Sequence, residues 1–289
     1  HIADVSHYVR PDSLLEKEAF ERATSVYLVD RTIPMLPEKL SNGLCSLRPK
    51  EEKLTFSAVF EINGQGKVFD KWFGKTVIYS DRRFAYEDAQ EIIEGNVGDY
   101  QEEILLLNDI ARKIRDKRFA NGAVNFESVE VKFKLDEKGK PLEVIPKERK
   151  EAHKMIEEFM LLANREVANF IFDKGKKKQQ EGGLPFVFRV HNDPDPEKFD
   201  DFSKFASRLG YQFPTQGGIS KNLNKLFADI QGKPEQNVLE SIAIRSMAKA
   251  RYTTDPIGHF GLSFEQYTHF TSPIRRYRDL MVHRLLWDY

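Results

Sequence analysis

The sequence predicts an α+β fold, with mixed or antiparallel sheets flanked by helices. Residues 54–62 alternate apolar and polar side chains and are followed by Asn63-Gly64, which is typical of a β-hairpin. A second alternating stretch, 129–135, leads into another turn. Two long stretches, 101–119 and 151–172, instead place apolar residues at helical spacing. Because strands and helices follow one another in no regular order, the pattern favours α+β over a doubly wound α/β fold.

The other elements follow from local signals for strands, turns and helix caps. Residues 1–9 are expected to form a strand, residues 24–29 are rich in strand formers, and the lysine-rich run 174–183 is expected to be a solvated loop. Further helices are predicted over 14–23, 87–94, 220–229 and 238–249, after Asp195-Pro196-Glu197, and from Ser272-Pro273 toward the C-terminus.

The composition indicates a globular protein of a reducing compartment. Hydrophobic residues make up 40% and aromatic residues 12% of the 289 positions, which is ample for a buried core and unlike a disordered chain. Lys+Arg and Asp+Glu both number 45, which argues against a large basic face that coats duplexes but not against other nucleic-acid partners. The single cysteine, Cys45, cannot form an internal disulfide, and no apolar run reaches the length of a membrane span. We therefore expect a cytoplasmic protein without a membrane segment.

Two adjacent arginines, Arg275 and Arg276, follow a helix-start signal. With Ser272 as N-cap and Pro273 as the first helical residue, both arginines are predicted to lie in the first turn of a helix. Cations are unfavourable there because the N-terminus of the helix dipole is positive, whereas a bound phosphate is favourable. Two interpretations stay open at this point, a phosphate site and ion pairs with acids such as Asp279.

A pair of glutamates, Glu157 and Glu158, lies on the helix predicted over 151–172. Its apolar stripe would include Ile156 and Met160, with Glu157 beside the stripe and Glu158 farther round. A carboxylate at that border could bind a base or a ribose hydroxyl, or orient a water. The alternative is a pair of solvated helical charges.

Two aromatic residues lie in polar or extended surroundings, Tyr27 and Phe126. Exposed rings of this kind stack on unpaired bases, although most aromatic residues of a chain belong to its core.

Arg189 and His191 are two positions apart on a strand-like segment, so both side chains point to one face and could line a groove. A histidine taken singly is more often structural.

Several segments, in order along the whole chain, resemble the ribonuclease II / ribonuclease R family, whose catalytic unit is called the RNB domain. The segments are HIADVSHYV at 1–9, TSVY at 24–27, IPMLP at 33–37, LSNGLCSL at 40–47, FES at 126–128, IEEFMLLAN at 156–164, FRVH at 188–191, HFGL at 259–262 and HFTSPIRRY at 269–277. The stretch 33–47 is most similar to the ribonuclease R branch.

The resemblance implies an RNB catalytic domain over residues 1–289 and a metal-dependent, processive 3′→5′ exoribonuclease that acts in RNA degradation. Such an enzyme threads single-stranded RNA into a channel and releases nucleoside 5′-monophosphates. By position in the family motifs, Arg275 holds the scissile phosphate, and one of Glu157 and Glu158 contacts the last nucleotide. The residues implied in RNA binding are Tyr27 and Phe126, which clamp the terminal bases, and Arg189, His191 and Arg276, which line the channel.

The family holds its magnesium ions with a short run of aspartates, of the form Asp-Phe-Asp-Asp-Ala, a strand upstream of the segment that here occupies 1–9. That run is absent from this sequence. We therefore expect a domain truncated at its N-terminal edge, without metal ligands and inactive by itself, in which Asp4 belongs to a structural strand. The OB-type RNA-binding domains that flank the RNB domain in the family are likewise absent. We expect the parent protein to be monomeric and the chain to self-associate through an open sheet edge.

Two other hypotheses compete with a truncated exoribonuclease. The first is a catalytically dead, RNB-like protein that grips RNA without cutting it, which the aspartate run would distinguish. The second is a metabolic α+β enzyme with chance motifs, which RNA binding would exclude.

Overall fold

The computed structural model of the chain describes residues 1–125, 130–177, 183–214 and 217–289. The strands are β1 (Ile2–Ala3), β2 (Val26–Tyr27), β3 (Thr32–Ile33), β4 (Glu52–Ile62), β5 (Val68–Tyr79), β6 (Glu130–Leu135), β7 (Pro141–Lys147), β8 (Phe188–Val190) and β9 (Arg251–Thr253). The α-helices are α1 (Val5–Tyr8), α2 (Leu14–Arg22), α3 (Tyr86–Ile93), α4 (Gln101–Ala120), α5 (Glu151–Lys177), α6 (Pro196–Arg208), α7 (Ile219–Ile230), α8 (Gln236–Ser246) and α9 (Tyr277–Asp288).

The chain divides into two compact units. The first unit comprises His1–Ile114, Glu130–Val187 and Thr268–Tyr289, and the second comprises Arg115–Val129 and Phe188–Tyr267. Both units combine helices with antiparallel strand pairs, so the predicted α+β class is confirmed.

The main sheet of the first unit has the strand order β1-β4-β5. The β4–β5 pair is the hairpin predicted from the alternating pattern, with Glu52 opposite Tyr79 at its open end. At its closed end the Asn63 side chain accepts hydrogen bonds from the backbone N–H groups of Gln65 and Lys67, both at 3.0 Å. The turn chemistry of Asn63 therefore closes the hairpin locally.

The N-terminal segment forms less strand than expected. Ile2 and Ala3 pair with β4, and the Asp4 N–H also donates to the Leu54 carbonyl at 3.0 Å. The Asp4 side chain then caps α1 by accepting a hydrogen bond from the His7 N–H at 3.2 Å. The Asp4 carboxylate, only 2% exposed, also pairs with Lys75 at 3.2 Å. The prediction of a strand over 1–9 is wrong because an aspartate that satisfies free N–H groups begins a helix at this position.

The end of α5 also differs from the prediction. Residues 174–177, expected in a loop, continue the helix to Lys177. Lys174 and Lys176 place their ammonium groups 5.3 Å and 4.2 Å from the ring centres of Phe170 and Phe172. Cation–π contacts and the negative end of the helix dipole both favour lysines in a last turn, so the basic run extends the helix instead of ending it.

The second unit is built around α6, α7 and α8. As predicted, Asp195 caps α6 by accepting a hydrogen bond from the Glu197 N–H at 3.0 Å, and Pro196 follows as the first helical residue. The core is apolar and combines aromatic with aliphatic side chains, with Phe199, Phe202, Phe213, Leu223, Leu226, Phe227, Ile230 and Leu239 among its buried members. Among the described residues of the chain, no helix is both long and apolar enough to cross a membrane.

Candidate functional site

Arg275 lies on a turn that precedes α9, not inside the helix. The helix begins at Tyr277, and Arg276 has an extended φ of −139°. The prediction that Ser272 caps this helix is wrong, because the Ser272 N–H donates to the Asp279 carboxylate at 2.8 Å and holds residues 272–276 as a separate turn. Arg275 therefore does not lie in the first turn of a helix, where the sequence had predicted it.

The backbone of this turn is joined to the segment that leads into β2. The carbonyl oxygen of Arg275 accepts hydrogen bonds from the Ser25 N–H at 3.0 Å and the Thr24 hydroxyl at 2.9 Å. The N–H of Tyr277 donates to the Ala23 carbonyl at 3.0 Å. The residue predicted to bind phosphate and the strand that carries Tyr27 are thus fixed to each other within the first unit.

Two buried side chains hold the start of the same turn. The N–H of Phe270 donates to the Asn164 side chain on α5 at 2.8 Å, and Nε2 of His283 on α9 lies 2.8 Å from the Phe270 carbonyl oxygen. Burial lowers the pKa of His283 to about 4, so a neutral imidazole donates this hydrogen bond through Nε2. Sequence reasoning missed both residues, because Asn164 is 106 positions from its partner and carries no local signal.

The two arginines have different surroundings. Arg276 makes a bidentate pair with Asp279, in which Nε to Oδ1 and Nη2 to Oδ2 are both 2.8 Å, and Asp279 is 0% exposed. Burial raises the pKa of the Asp279 carboxyl, while Arg276 acts in the opposite direction. Arg275 is exposed, and no described residue forms a hydrogen bond or an ion pair with its guanidinium. The pairing interpretation is therefore right for Arg276, whose contact with RNA stays a prediction, and it does not account for Arg275.

Tyr27 lies on a small hairpin formed by β2 and β3, where it is opposite Thr32. Its side chain is 61% exposed, which leaves the ring accessible for stacking on a base. The neighbouring apolar residues Val26, Leu28 and Ile33 are also exposed. Its partner in the predicted clamp, Phe126, lies outside the described residues.

The two glutamates of α5 differ from the prediction, which put Glu157 closer to the buried face than Glu158. Glu158 is buried at 2% exposure, whereas Ile156 and Met160 are 39% and 37% exposed. Glu157 is partly exposed and forms an ion pair with Arg149. The helix buries Met155, Glu158 and Leu162, which are three and four residues apart and therefore share one face. The predicted apolar stripe, with Ile156 and Met160, is rotated around the helix from this buried face.

Arg189 and His191 belong to the second unit, on and just after β8. The Arg189 guanidinium lies 4.8 Å from the ring centre of Tyr252 on β9. Nε2 of His191 lies 2.8 Å from the Ala248 carbonyl oxygen, and Nδ1 accepts a hydrogen bond from the Gly261 N–H at 3.2 Å. Burial lowers the pKa of His191, consistent with a neutral, structural ring. Contact of either residue with RNA stays a prediction.

The resemblance implies magnesium, which would need carboxylate or other side-chain ligands close together. Within the four described ranges, no three His, Cys, Asp or Glu side chains lie so that they could hold a metal ion. Asp4 caps α1 and pairs with Lys75, and Asp279 is paired with Arg276. These residues do not fit a magnesium site.

Comparison with known proteins agrees with the segments quoted from the sequence. The RNB domain model matches residues 1–289. Ribonuclease R 1 of Lactococcus lactis is 42% identical over 99% of this chain, and this chain covers 35% of its length. A structure of Mycoplasma genitalium RNase R in complex with ribose-methylated single-stranded RNA matches with a TM-score of 0.89 and 28% identity over 99% of this chain and 45% of that chain.

A more distant structure, the yeast pseudonuclease Ssd1, matches with a TM-score of 0.76 and 23% identity over 98% of this chain and 34% of that chain. At that identity the likeness shows the fold alone. The chain therefore spans less than half the length of these relatives, and over its whole described extent it belongs to the RNB-domain family.

Proposed function

We propose that this chain is the RNA-binding and phosphate-orienting part of a 3′→5′ exoribonuclease. The parent protein would hydrolyse single-stranded RNA processively and release nucleoside 5′-monophosphates in the cytoplasm. The observation that carries the proposal is the position of Arg275, an exposed guanidinium on a turn whose backbone is hydrogen-bonded to the segment that leads to Tyr27. A planar cation suited to a phosphate and a ring suited to a base are thus presented by one fixed structure.

In this proposal Arg275 donates hydrogen bonds to the oxygens of the scissile phosphate as negative charge develops on them. A donor that is already in position needs no reorganisation during the reaction. Arg276 keeps the turn in place through Asp279, and Asn164 and His283 hold its first residues. Of the two glutamates, Glu157 is the more accessible for a contact with the last nucleotide.

The test is an assay of the full-length parent on a 5′-labelled single-stranded oligoribonucleotide, with and without magnesium. We expect stepwise shortening from the 3′ end and nucleoside 5′-monophosphates as the only small products. The chain by itself is expected to bind the oligonucleotide without cutting it. Tight RNA binding by the parent with no mononucleotide release would favour the RNA-gripping alternative, and an absence of RNA binding by both proteins would exclude the proposal.

Substitution of Tyr27 is expected to weaken RNA binding without unfolding the chain. Stacking of a base on an aromatic ring contributes about 1–3 kcal/mol, so Tyr27→Ala should raise the Kd for a single-stranded oligoribonucleotide roughly 5-fold to 100-fold. Tyr27→Phe, which keeps the ring, should bind within about 3-fold of the original chain. Fluorescence anisotropy of a labelled oligonucleotide measures all three proteins.

A matched control for this prediction is Phe69→Ala. Phe69 is a β5 residue of the first unit and is 62% exposed, close to the 61% of Tyr27. We expect that substitution to leave the Kd unchanged. Equal losses in both variants would mean that exposed apolar surface, and not a ring at position 27, binds RNA.

A further inference from the structure

The second compact unit contains a cavity of about 220 Å³ that no residue of the proposed function accounts for. It lies between the end of α4, the helix α7 and the start of α8. Its walls include two rings, several amides and one acid, namely Phe119, Phe227, Asn224, Gln231, Gln236 and Glu240. A small cavity that combines aromatic rings with several hydrogen-bonding groups is suited to a polar, planar ligand.

The amides on two sides of the cavity are held in fixed orientations. The Asn224 side chain accepts a hydrogen bond from the Asn125 N–H at 2.9 Å and donates to the Ala123 carbonyl at 2.8 Å. On the other side, Gln236 accepts from the Gly232 N–H at 2.8 Å and donates to Oε1 of Glu240 at 2.9 Å. The polar walls are therefore preorganised, which reduces the entropy lost when a ligand binds.

Glu240 is the feature that indicates a ligand. It is 7% exposed, and in the described part of the chain its carboxylate has one hydrogen-bond partner, Gln236, and no cation in an ion pair. By contrast, the buried carboxylates of Asp4, Glu166 and Asp279 each pair with a lysine or arginine. Because Glu240 also lines the cavity, its carboxylate can accept further hydrogen bonds from a molecule bound there. A ligand with adjacent N–H donors would supply them.

We propose that this cavity binds a guanine base, with Glu240 accepting hydrogen bonds from N1–H and from the exocyclic amino group. Guanine presents these two donors side by side, and its other edge offers acceptors to the amides. The rings of Phe119 and Phe227 supply apolar contact for a planar base. The volume is below the roughly 300–1,000 Å³ of a pocket for a drug-sized ligand, which suits a single base. The choice of a nucleobase over other N–H-rich ligands rests on the proposed function.

The experiment is a calorimetric titration of the chain with guanosine, inosine and adenosine. We expect saturable binding of guanosine, weaker binding of inosine, which lacks the exocyclic amino group, and the weakest binding of adenosine, whose N1 is an acceptor that faces the carboxylate. Glu240→Gln replaces one acceptor oxygen by an NH₂ donor and removes the charge. It should weaken guanosine binding about 10-fold or more, since a hydrogen bond to a charged group is among the stronger ones. Glu197→Gln, an exposed position on α6, is the control and should bind guanosine unchanged.

A second variant covers the case in which Glu240→Gln does not fold. Ala228 lines the cavity and is exposed, so Ala228→Leu should narrow the cavity and weaken guanosine binding while the circular dichroism spectrum stays the same. Absence of saturable guanosine binding, equal affinity for adenosine, or unchanged affinity in a folded Glu240→Gln or Ala228→Leu variant would overturn the proposal.

The result is separable from the proposed function. Tyr27→Ala is expected to weaken RNA binding and leave guanosine binding intact. If guanosine does not bind while the parent still releases mononucleotides, only the guanine site is lost. If guanosine binds and neither protein binds RNA, the cavity is a nucleoside site independent of RNA degradation, and the proposed function is the one that fails.

Discussion

Replacement of Arg275 by alanine is expected to lower kcat for RNA hydrolysis by the parent protein about 100-fold to 1,000-fold, the range seen when one preorganised donor to a transition-state charge is removed. The stability of the protein should change by less than about 0.5 kcal/mol, because an exposed side chain that makes no hydrogen bond or ion pair with the described residues contributes little to folding. Single-turnover hydrolysis of a labelled oligonucleotide and urea unfolding measure the two quantities separately.

Two further substitutions sharpen this prediction. Arg275→Lys keeps the positive charge but loses the planar fork that matches two phosphate oxygens, so it should recover only part of the activity. Arg83→Ala, an exposed arginine elsewhere in the first unit, should leave kcat unchanged. A fall in kcat that is matched by an equal fall in stability would indicate that Arg275 supports the fold and does not act on the phosphate.

Asp279→Ala is expected to reduce the free energy of unfolding by about 3–5 kcal/mol, the range found when one member of a buried ion pair is removed. The substitution leaves the partly buried guanidinium of Arg276 without its bidentate partner and the Ser272 N–H without an acceptor. Asp279→Asn keeps one carbonyl oxygen and should cost less. Chemical denaturation monitored by tryptophan fluorescence gives these differences.

The control is Asp288→Ala, which removes an exposed acid from the same helix and should change the stability by less than about 0.5 kcal/mol. A double variant, Arg276→Met with Asp279→Leu, removes both charges and should be more stable than Asp279→Ala alone. The single variants Arg276→Met and Asp279→Leu complete the comparison. If the double variant loses as much free energy of unfolding as these two single variants together, the pair is not coupled and the structural role given to Asp279 is wrong.

The sequence by itself determined the elements that depend on local chemistry. The β4–β5 hairpin follows from the alternation of apolar and polar residues and from Asn63, whose side chain closes the turn. Helix α6 follows from Asp195 as its N-cap and Pro196 as its first residue. The sequence also indicated the family, because motifs such as HIADVSHYV and HFTSPIRRY are runs of consecutive residues. Each of these signals is contained within a few consecutive positions.

Only the tertiary structure decided which face of α5 is buried and where α9 begins. The apolar count favoured Ile156 and Met160, but packing buries Glu158 in line with Met155 and Leu162. A carboxylate can take a core position when the surrounding structure satisfies it, and helical periodicity does not contain that information.

The start of α9, at the candidate site, is likewise decided by contacts that the local sequence does not show. Ser272-Pro273 is a valid start signal, yet the Asp279 carboxylate binds the Ser272 N–H, and Arg276 bridges to Thr24, a residue distant in sequence. These contacts separate Arg276, which is paired, from Arg275, which is exposed, although the two are identical neighbours in the sequence. Hydrogen bonds between remote segments therefore decided which arginine is paired and which is exposed, because the energy of such contacts depends on distances that local sequence does not fix.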